Sequence, residues 1–157
     1  MKQTTLCLLI KDNKILLAMK KRGFGVGRWN GYGGKFEPEK DKNILDAAIR
    51  ETKEEIGVDV KNMEKFGLFR FRFDKKKEWN QDVHLFVVRD WAGEPSESEE
   101  MLPKWFLFKE IPYENMWPDD KHWLPHVLKG EKVEADFLFG EGDKVLNHKI
   151  KIVGSWL

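Results

Sequence analysis

The sequence has little cysteine and no long apolar run. Cys7 is the only cysteine, which excludes an internal disulfide and a zinc site built from several cysteines. It lies in the apolar segment TLCLLI, where we expect a small buried side chain. That segment is far shorter than the roughly 20 apolar residues of a membrane span, and no small-residue cleavage site follows it. We therefore expect no membrane association and a reducing compartment: the cytoplasm, with the mitochondrion and the nucleus as further locations.

An excess of charge of one sign is also lacking. The 157 residues include 28 Lys and Arg against 27 Asp and Glu, for a net charge of +1. Proteins that coat nucleic acid or an anionic membrane need a clear basic excess, so neither is expected as a stable partner. A small anionic ligand needs only a local field. The length is typical of one domain, and we expect residues 1–157 to form a single, monomeric domain.

The pattern of apolar residues predicts both strands and helices. Strands are predicted over residues 4–10, 15–20 and 69–73 and in the segments DVHLFVVRDW, KWFLFKEI, EADFLFG and VLNHKIKIV. In FGLFRFRFD, strict alternation gives one phenylalanine face and one arginine face. Helices are predicted over residues 43–56 and just after WPDD. The fold class is therefore α+β, a mixed sheet with helices packed on its faces.

The helix predicted to end at Ile56 has one mostly apolar stripe. Its members recur at three- and four-residue spacing and are expected to face the sheet: Leu45, Ala48, Ile49, Thr52 and Ile56. Asp41 or Asn43 would cap the start of this helix, and Gly57 is a natural end.

Three carboxylates crowd the other face of this helix. Glu51, Glu54 and Glu55 fall within about a 100° arc, where like charges repel by roughly a few tenths of a kcal/mol per pair. Arg50 can pair with Glu54 one turn away. One interpretation is a solvated acidic face; the other is a cation site, since Mg²⁺ is commonly held by one or two carboxylates with substrate phosphates. The segment RGFGVGRWNGYGGK favours the cation, because closely spaced glycines let backbone N–H groups approach a phosphate, and basic residues flank it: Lys20, Lys21, Arg22 and Lys35.

The acidic helix and the glycine loop belong to one longer pattern. GGKFEPEKDKNILDAAIRETKEEIGV resembles the Nudix box, the loop and helix that bind metal and diphosphate in the Nudix hydrolase family, and its diagnostic half is matched by Arg50, Glu51, Glu54, Glu55 and Gly57. Thr52 stands where an aliphatic residue is usual. Lys40 replaces a glutamate in a loop two residues longer than usual, and three nearby acids are candidate substitutes: Glu37, Glu39 and Asp41. The resemblance implies a Nudix fold, an α/β/α sandwich around a mixed sheet.

The same resemblance implies a metal and catalytic residues. The cofactor would be Mg²⁺, with Mn²⁺ as an alternative, held by Gly33, Glu51, Glu54, Glu55 and Glu100. The implied catalytic residues are those four glutamates with Arg50. A carboxylate in or beside the metal shell would accept a proton from the attacking water. Without the resemblance, Glu100 is equally an acid of a solvated loop.

Further stretches resemble one group within the family. KKRGFGVGRWNGYGGK, SEEMLPKWF and IPYENMWPDDKHWLP are similar to the members that hydrolyse oxidised purine nucleoside triphosphates, such as 8-oxo-dGTP and 2-hydroxy-dATP, to monophosphate and pyrophosphate and so sanitise the nucleotide pool. Gln81 departs from that pattern, because those members carry methionine there. The implied substrate-binding residues are Thr5, Lys20, Phe24, Asn30, Tyr32, Gly33, Gly34, Lys35, Phe71, Phe73, Trp117, Pro118, Asp119 and Asp120.

The residue types suit a purine pocket. Trp117 offers a flat face for stacking, worth roughly 1–3 kcal/mol per base, and Asn30 carries a donor and an acceptor for a purine edge. Asp119 and Asp120 would share a proton, because burial and like charge both raise a carboxyl pKa. Exchanging that proton would admit both oxidised guanine and oxidised adenine. The alternatives are a core tryptophan, a turn-forming asparagine and an aspartate that caps the next helix.

Two other functions stay open at this point. One is a Nudix hydrolase of a different nucleoside diphosphate derivative, such as a dinucleotide or a capped RNA end. The other is a Nudix-fold module that binds a nucleotide without catalysis. The residues from Trp117 to Asp120 favour a purine substrate, and the intact set of three glutamates favours catalysis.

Overall fold

The computed structural model describes residues 1–23 and 25–156, and in these residues it has eight strands and two α-helices. Phe24, one of the predicted substrate-binding residues, lies outside the described residues. The strands are β1 (Lys2–Lys11), β2 (Lys14–Lys20), β3 (Trp29–Asn30), β4 (Asp59–Phe73), β5 (Gln81–Ala92), β6 (Met101–Leu107), β7 (Lys132–Phe139) and β8 (Val145–Val153). The helices are α1 (Ile44–Ile56) and α2 (Asp120–Leu128).

The strands form one mixed sheet. The order is β3–β2–β1–β5–β4–β7–β8, and β6 pairs with β2 outside this path. β1 lies parallel to β5 and β4 parallel to β7, whereas the other strand pairs in the described residues are antiparallel. The predicted α+β class with a mixed sheet is confirmed.

The two helices cover opposite faces of this sheet. Alternate residues of β1 belong to different apolar clusters, because successive side chains of a strand point to opposite faces. Leu8 packs in the cluster that includes Trp123 of α2, whereas Leu9 packs in the cluster that includes Ile56 of α1. The predicted three-layer sandwich is therefore present. Neither helix in the described part of the chain is long and apolar enough to cross a membrane.

Helix α1 has the predicted ends and part of the predicted buried face. The Asn43 side chain caps it by accepting a hydrogen bond from the Asp46 N–H (2.9 Å), and Gly57 ends it with a φ of 73°. Leu45 and Ile49 were expected to face the sheet, but they are 44% and 41% exposed. The other three predicted residues, Ala48, Thr52 and Ile56, are buried, and Ala47 is buried with them. The helix is therefore rotated so that its small side chains approach the sheet closely and part of its acidic face turns inward.

Three differences from the predicted strands are the most informative. β4 begins at Asp59, ten residues before the predicted start at Phe69. The predicted strand KWFLFKEI ends at Leu107, because Phe108–Glu110 forms a 3-10 turn. The short strand β3 lies inside the glycine-rich segment and was not predicted, since glycine at that density indicates a loop.

Candidate active site

The glycine segment after β3 runs close against β1. The Thr5 N–H donates to the Gly34 carbonyl oxygen at 2.8 Å. No side chain fits at Gly33, where a Cβ would lie 1.9 Å from the Thr5 carbonyl oxygen, or at Gly34, where it would lie 2.4 Å from the Glu51 carboxyl carbon. The two glycines therefore let the loop backbone pass between β1 and the acidic side of α1.

The three glutamates of α1 do not share one environment. The Glu54 side chain is 53% exposed, whereas that of Glu51 is 17% exposed. Oε2 of Glu55 is buried and has no hydrogen-bond partner among the described residues. The expectation that all three carboxylates lie on the face away from the sheet is wrong, because Glu51 and Glu55 turn towards the glycine loop.

Arg50 joins the glutamates to the loop before the helix. It donates hydrogen bonds to Glu51 at 2.9 Å and to Glu54 at 3.3 Å. It also donates to both carboxylate oxygens of Asp41 at 2.8 Å, and these bonds hold the pKa of Asp41 down at about 2. The predicted Arg50–Glu54 pair is confirmed. Of the three acids considered as substitutes near Lys40, Asp41 is the buried one that Arg50 binds through two nitrogens.

Glu55 has the electrostatics of a cation site. Burial raises its pKa to about 8, the Lys20 charge partly offsets this, and nearby Glu51 adds to it. Burial also raises the pKa of Glu51. A buried, unpartnered oxygen beside another carboxylate is stabilised by a hard divalent cation, which takes oxygen ligands. These residues therefore fit the metal that the sequence implies.

The acidic side chains do not form a closed cage. In residues 1–23 and 25–156, no group of three or more His, Cys, Asp or Glu side chains is arranged to hold a metal. Glu100 is half exposed and forms ion pairs with Lys20 at 3.7 Å and Arg22 at 3.6 Å. Its charge raises the pKa of Glu55, which places it within electrostatic reach. Such an open set suits Mg²⁺, which usually keeps waters and substrate phosphates among its ligands.

A cavity of about 260 Å³ opens beside the glycine loop on the α2 side of the sheet. Most of the residues predicted to bind substrate line it: Thr5, Lys20, Asn30, Gly33, Gly34, Lys35, Phe71, Phe73, Trp117, Asp119 and Asp120. The loop that approaches Glu51 thus also forms one wall of the cavity. A ligand in this cavity would have its polar end next to the α1 carboxylates.

Aromatic rings form the apolar wall of the cavity. Phe71 and Phe73 lie on one face of β4, as the alternation predicts, and both pack against Phe139 with ring centres 5.3 and 4.9 Å apart. Trp117 also packs against Phe139, at 6.1 Å. Asn30 lines the cavity while its Oδ1 accepts a hydrogen bond from the Gly31 N–H at 2.9 Å. The turn-forming role of Asn30 and its place in the wall therefore coexist.

Asp119 and Asp120 are both buried at the start of α2, with 1% and 3% of their surface exposed. Asp119 occupies the N-cap position, but its side chain makes no capping bond and instead accepts from Nε1 of Trp123 at 2.8 Å. Asp119 Oδ1 and Asp120 Oδ2 accept no hydrogen bond from the described residues. Burial raises the pKa of both groups, and the charge of Asp119 raises that of Asp120 further. Burial and like charge thus both oppose the simultaneous ionisation of the two carboxyls.

Two predicted binding residues lie elsewhere. Tyr32 is fully buried on the α1 side of the sheet, and Pro118 is not among the described residues that line the cavity. Asn30 lines the cavity, whereas the Tyr32 ring two residues later packs on the α1 side, so the backbone after β3 does not keep strand alternation. Its hydroxyl has no hydrogen-bond partner among the described residues, and burial raises its pKa above the usual range.

Several lining residues were not predicted as binding residues: Thr4, Leu6, Gly25, Gly31, Gln81, Val83 and Met101. Gln81 and Val83 lie opposite Phe71 and Phe69 in the antiparallel β4–β5 pair. Side chains opposite each other in such a pair share a face, so the register of β4 and β5, which the sequence did not show, places both residues on the cavity side. Gln81, which departs from the pattern of the group that the sequence resembles, lines the cavity.

The chain is similar to known proteins in both sequence and fold. A sequence model of the Nudix domain matches residues 1–127. The chain is 42% identical to oxidized purine nucleoside triphosphate hydrolase of Mus musculus, covering 97% of this chain and 96% of that protein, and 42% identical to the Danio rerio protein of the same name, covering 95% and 94%. Its fold is similar to a crystal structure of a mutator MutT protein from Bacillus halodurans, with a TM-score of 0.83, 28% identity and coverage of 96% of this chain and 97% of that one. The chain belongs to the Nudix hydrolase family.

Proposed function

We propose that this protein hydrolyses oxidised purine nucleoside triphosphates, such as 8-oxo-dGTP and 2-hydroxy-dATP, to nucleoside monophosphate and pyrophosphate. The observation that carries this proposal is the joint position of the buried pair Asp119–Asp120 and the α1 glutamates around one glycine loop. The cavity separates the two sets, so a base end and a phosphate end have different surroundings. The names of the Mus musculus and Danio rerio relatives support the same substrate class.

Nudix hydrolases generally use divalent metal ions, and we propose Mg²⁺ here, with Mn²⁺ as an alternative. Its ligands would be Glu51, Glu54, Glu55, Glu100 and the Gly33 carbonyl. When bound, the ion would neutralise phosphate charge and make a bound water more acidic. Arg50 orients Glu51 and Glu54 through its hydrogen bonds. A carboxylate of this set accepts the proton of the attacking water, and Lys35 in the cavity wall attracts the phosphates.

The base end would be held by stacking and by hydrogen bonds. Trp117 supports the purine plane, and Phe71 and Phe73 complete the apolar wall. Asn30 offers a donor and an acceptor to the purine edge. Asp119 and Asp120 share one proton, so that one carboxyl donates and the other accepts. Moving that proton reverses the pattern, and this accounts for a pocket that takes both oxidised guanine and oxidised adenine.

The test is steady-state hydrolysis of 8-oxo-dGTP, 2-hydroxy-dATP, N6-methyl-dATP and dGTP with Mg²⁺, with products separated by ion exchange. We expect a strong preference for the oxidised purines and release of monophosphate and pyrophosphate. Equal activity on dGTP would be consistent with a Nudix hydrolase but would refute the specificity for oxidised purines. Cleavage of only dinucleotides or capped RNA added to the panel would identify a different Nudix substrate, and binding without turnover would indicate a non-catalytic module.

We further propose that residues 1–157 act as one domain and as a monomer in a reducing compartment such as the cytoplasm. β7 and β8 lie beyond the residues matched by the Nudix sequence model, yet they pair with β4 and each other in the same sheet. Cys7 is buried, and burial raises the pKa of its thiol to about 12. Light scattering tests the monomer.

A further inference from the structure

Arg28 joins three parts of the chain next to the base end of the cavity. Its guanidinium lies over the ring of Trp117, 4.2 Å from the ring centre. Its Nη1 forms an ion pair with Asp143 at 3.2 Å. Asp143 belongs to the 3-10 turn Glu141–Asp143 between β7 and β8, far along the chain from the glycine loop that carries Arg28. Both partners are largely buried at the side chain, at 28% and 26% exposure.

The stacked guanidinium restricts Trp117. A cation over an aromatic face is attracted by the ring, by about 0.5–1 kcal/mol at exposed sites and about 2 when desolvated. Because Arg28 lies over one face of the indole, a purine cannot stack on that face. The ion pair with Asp143 holds the guanidinium of Arg28 in place over the Trp117 ring. The orientation of Trp117 therefore depends on a contact outside the cavity.

Arg28 also acts on the buried carboxyl pair. Burial raises the pKa of Asp119 and of Asp120, and the Arg28 charge opposes this at both. The groups near the pair include Trp123, which donates to Asp119, and Tyr113, whose pKa is raised by burial and by the Asp120 charge. Lys20 and Lys35 line the same cavity as the pair. The Arg28 charge favours ionisation of both carboxyls.

We infer that Arg28, held by Asp143, is a positioning residue of the base pocket that fixes the Trp117 ring and keeps one carboxyl of the Asp119–Asp120 pair ionised. This inference deepens the proposed function and rests on it for the identity of the base. Arginine suits both tasks, because its planar guanidinium stacks on a ring while one edge forms an ion pair. Lysine would keep the charge but lose the stacked plane.

The experiment compares Arg28→Gln, Arg28→Lys and Asp143→Asn with the wild type. Arg70→Gln is the matched control, because Arg70 forms ion pairs with Glu134 and Asp136 away from the cavity. The first readout is ¹³C carboxyl NMR titration of Asp119 and Asp120 in the full chain without substrate. The second is the dependence of kcat/KM on pH for 8-oxo-dGTP and 2-hydroxy-dATP, with KM and kcat measured separately and folding checked by circular dichroism.

Arg28→Gln should raise the pKa at which the pair loses its shared proton and move the alkaline limit of kcat/KM to higher pH. It should raise KM by about tenfold, the effect of losing roughly 1.4 kcal/mol of binding energy, with kcat within about threefold. Arg28→Lys should give the carboxyl titration curve of the wild type but the raised KM of Arg28→Gln. Asp143→Asn should change both quantities in the same direction as Arg28→Gln, by a smaller amount. A titration curve and KM equal to those of Arg70→Gln would overturn the inference.

The two proposals fail in different ways. An inactive wild type would refute the proposed substrate, while the carboxyl titration would still show whether Arg28 controls the pair. An active wild type with unchanged titration and KM in Arg28→Gln would refute the role of Arg28 alone. If Arg28→Gln does not fold, Arg28→Lys still tests the stacking role, because an unchanged KM in that variant contradicts it.

Discussion

The fold carries two acidic clusters, one on α1 and one at the start of α2, and their surroundings differ. On α1, Arg50 touches the carboxylates directly and Glu54 reaches solvent. On α2, Asp119 and Asp120 are almost completely buried, and Asp119 accepts a neutral N–H from Trp123. The first cluster is open to a cation from solution, whereas the second forms a buried part of the cavity wall.

The difference shows how environment selects the chemistry of one residue type. A carboxylate with a water-accessible neighbour lowers its repulsion by binding a divalent cation. Two carboxylates buried together lower it by retaining a proton. We therefore expect α1 to depend on metal and to govern turnover, and α2 to depend on protonation and to govern which base is accepted.

The largest effect is expected from removing one α1 carboxylate. Glu55→Gln should lower kcat by about 10³-fold or more while the protein stays folded, because an amide is a weaker metal ligand and takes no proton from water. Glu54→Gln should behave alike. Turnover is measured at saturating Mg²⁺, with circular dichroism for folding. Glu64→Gln is the control, since Glu64 is ion-paired to Lys132 at the surface. A rate within tenfold of wild type would remove Glu55 from the catalytic set.

A smaller, selective effect is expected on α2. In Asp120→Asn, an amide with a fixed donor and a fixed acceptor replaces a carboxyl that can gain or lose a proton. The variant should therefore lower kcat/KM for one oxidised base about 10–100-fold more than for the other. The ratio for 8-oxo-dGTP and 2-hydroxy-dATP is measured across pH. Asp59→Asn serves as control, because Asp59 pairs with Lys53 at the surface. Equal losses for both bases would contradict proton exchange and leave only a structural role for the pair.

The sequence predicted these two clusters unequally well. The spacing of Arg50, Glu51 and Glu54 predicted a metal site because it is a local pattern on one helix. The buried face of α1 was predicted wrongly at Leu45 and Ile49, which are exposed. Apolar periodicity did not show that the small alanine side chains, rather than these two, would lie against the sheet. The role of Asp41 stayed open among three acids, and its two bonds to Arg50 depend on the path of the preceding loop.

Contacts between distant segments were the least predictable part of the cavity. Gln81 and Val83 lie in the cavity wall because of the register between β4 and β5. Arg28 forms its ion pair with Asp143 because the turn after β7 lies beside the glycine loop. No local spacing links these residues. By contrast, Phe71 and Phe73 were found from alternation alone, because a strand fixes which side chains share a face.

The third prediction concerns pH and metal. Glu55 has a folded-state pKa of about 8, above its usual value of 4.5, so the unfolded state ionises first as pH rises. The free energy of unfolding should therefore fall between about pH 5 and 8, by an order of a few kcal/mol. Glu55→Gln should lose this dependence. Thermal unfolding of the metal-free wild type and variant at both pH values measures it.

Adding Mg²⁺ to the same thermal unfolding experiment distinguishes the roles of the two clusters. A ligand that binds only the folded state stabilises it, so Mg²⁺ should restore the wild type at pH 8 and have little effect on Glu55→Gln. The variant Asp120→Asn should keep its response to Mg²⁺. If Mg²⁺ stabilises Glu55→Gln as much as wild type, the metal does not use Glu55, and the division of roles between the two clusters is wrong.

The smallest effect is expected from replacing Gln81 in the cavity wall. The Gln81 amide accepts from Thr4 Oγ1 at 3.0 Å and donates to the Trp79 carbonyl at 3.1 Å, which leaves its second N–H for a polar substituent in the cavity. Gln81→Met removes that donor, so preference for 8-oxo-dGTP over dGTP should fall by up to about tenfold with the Mg²⁺ requirement unchanged. The ratio of kcat/KM values measures it, and Gln3→Met is the control because Gln3 binds Asp82 outside the cavity lining. An unchanged ratio would mean that Gln81 only supports the wall, and that base selection belongs to the α2 carboxyls alone.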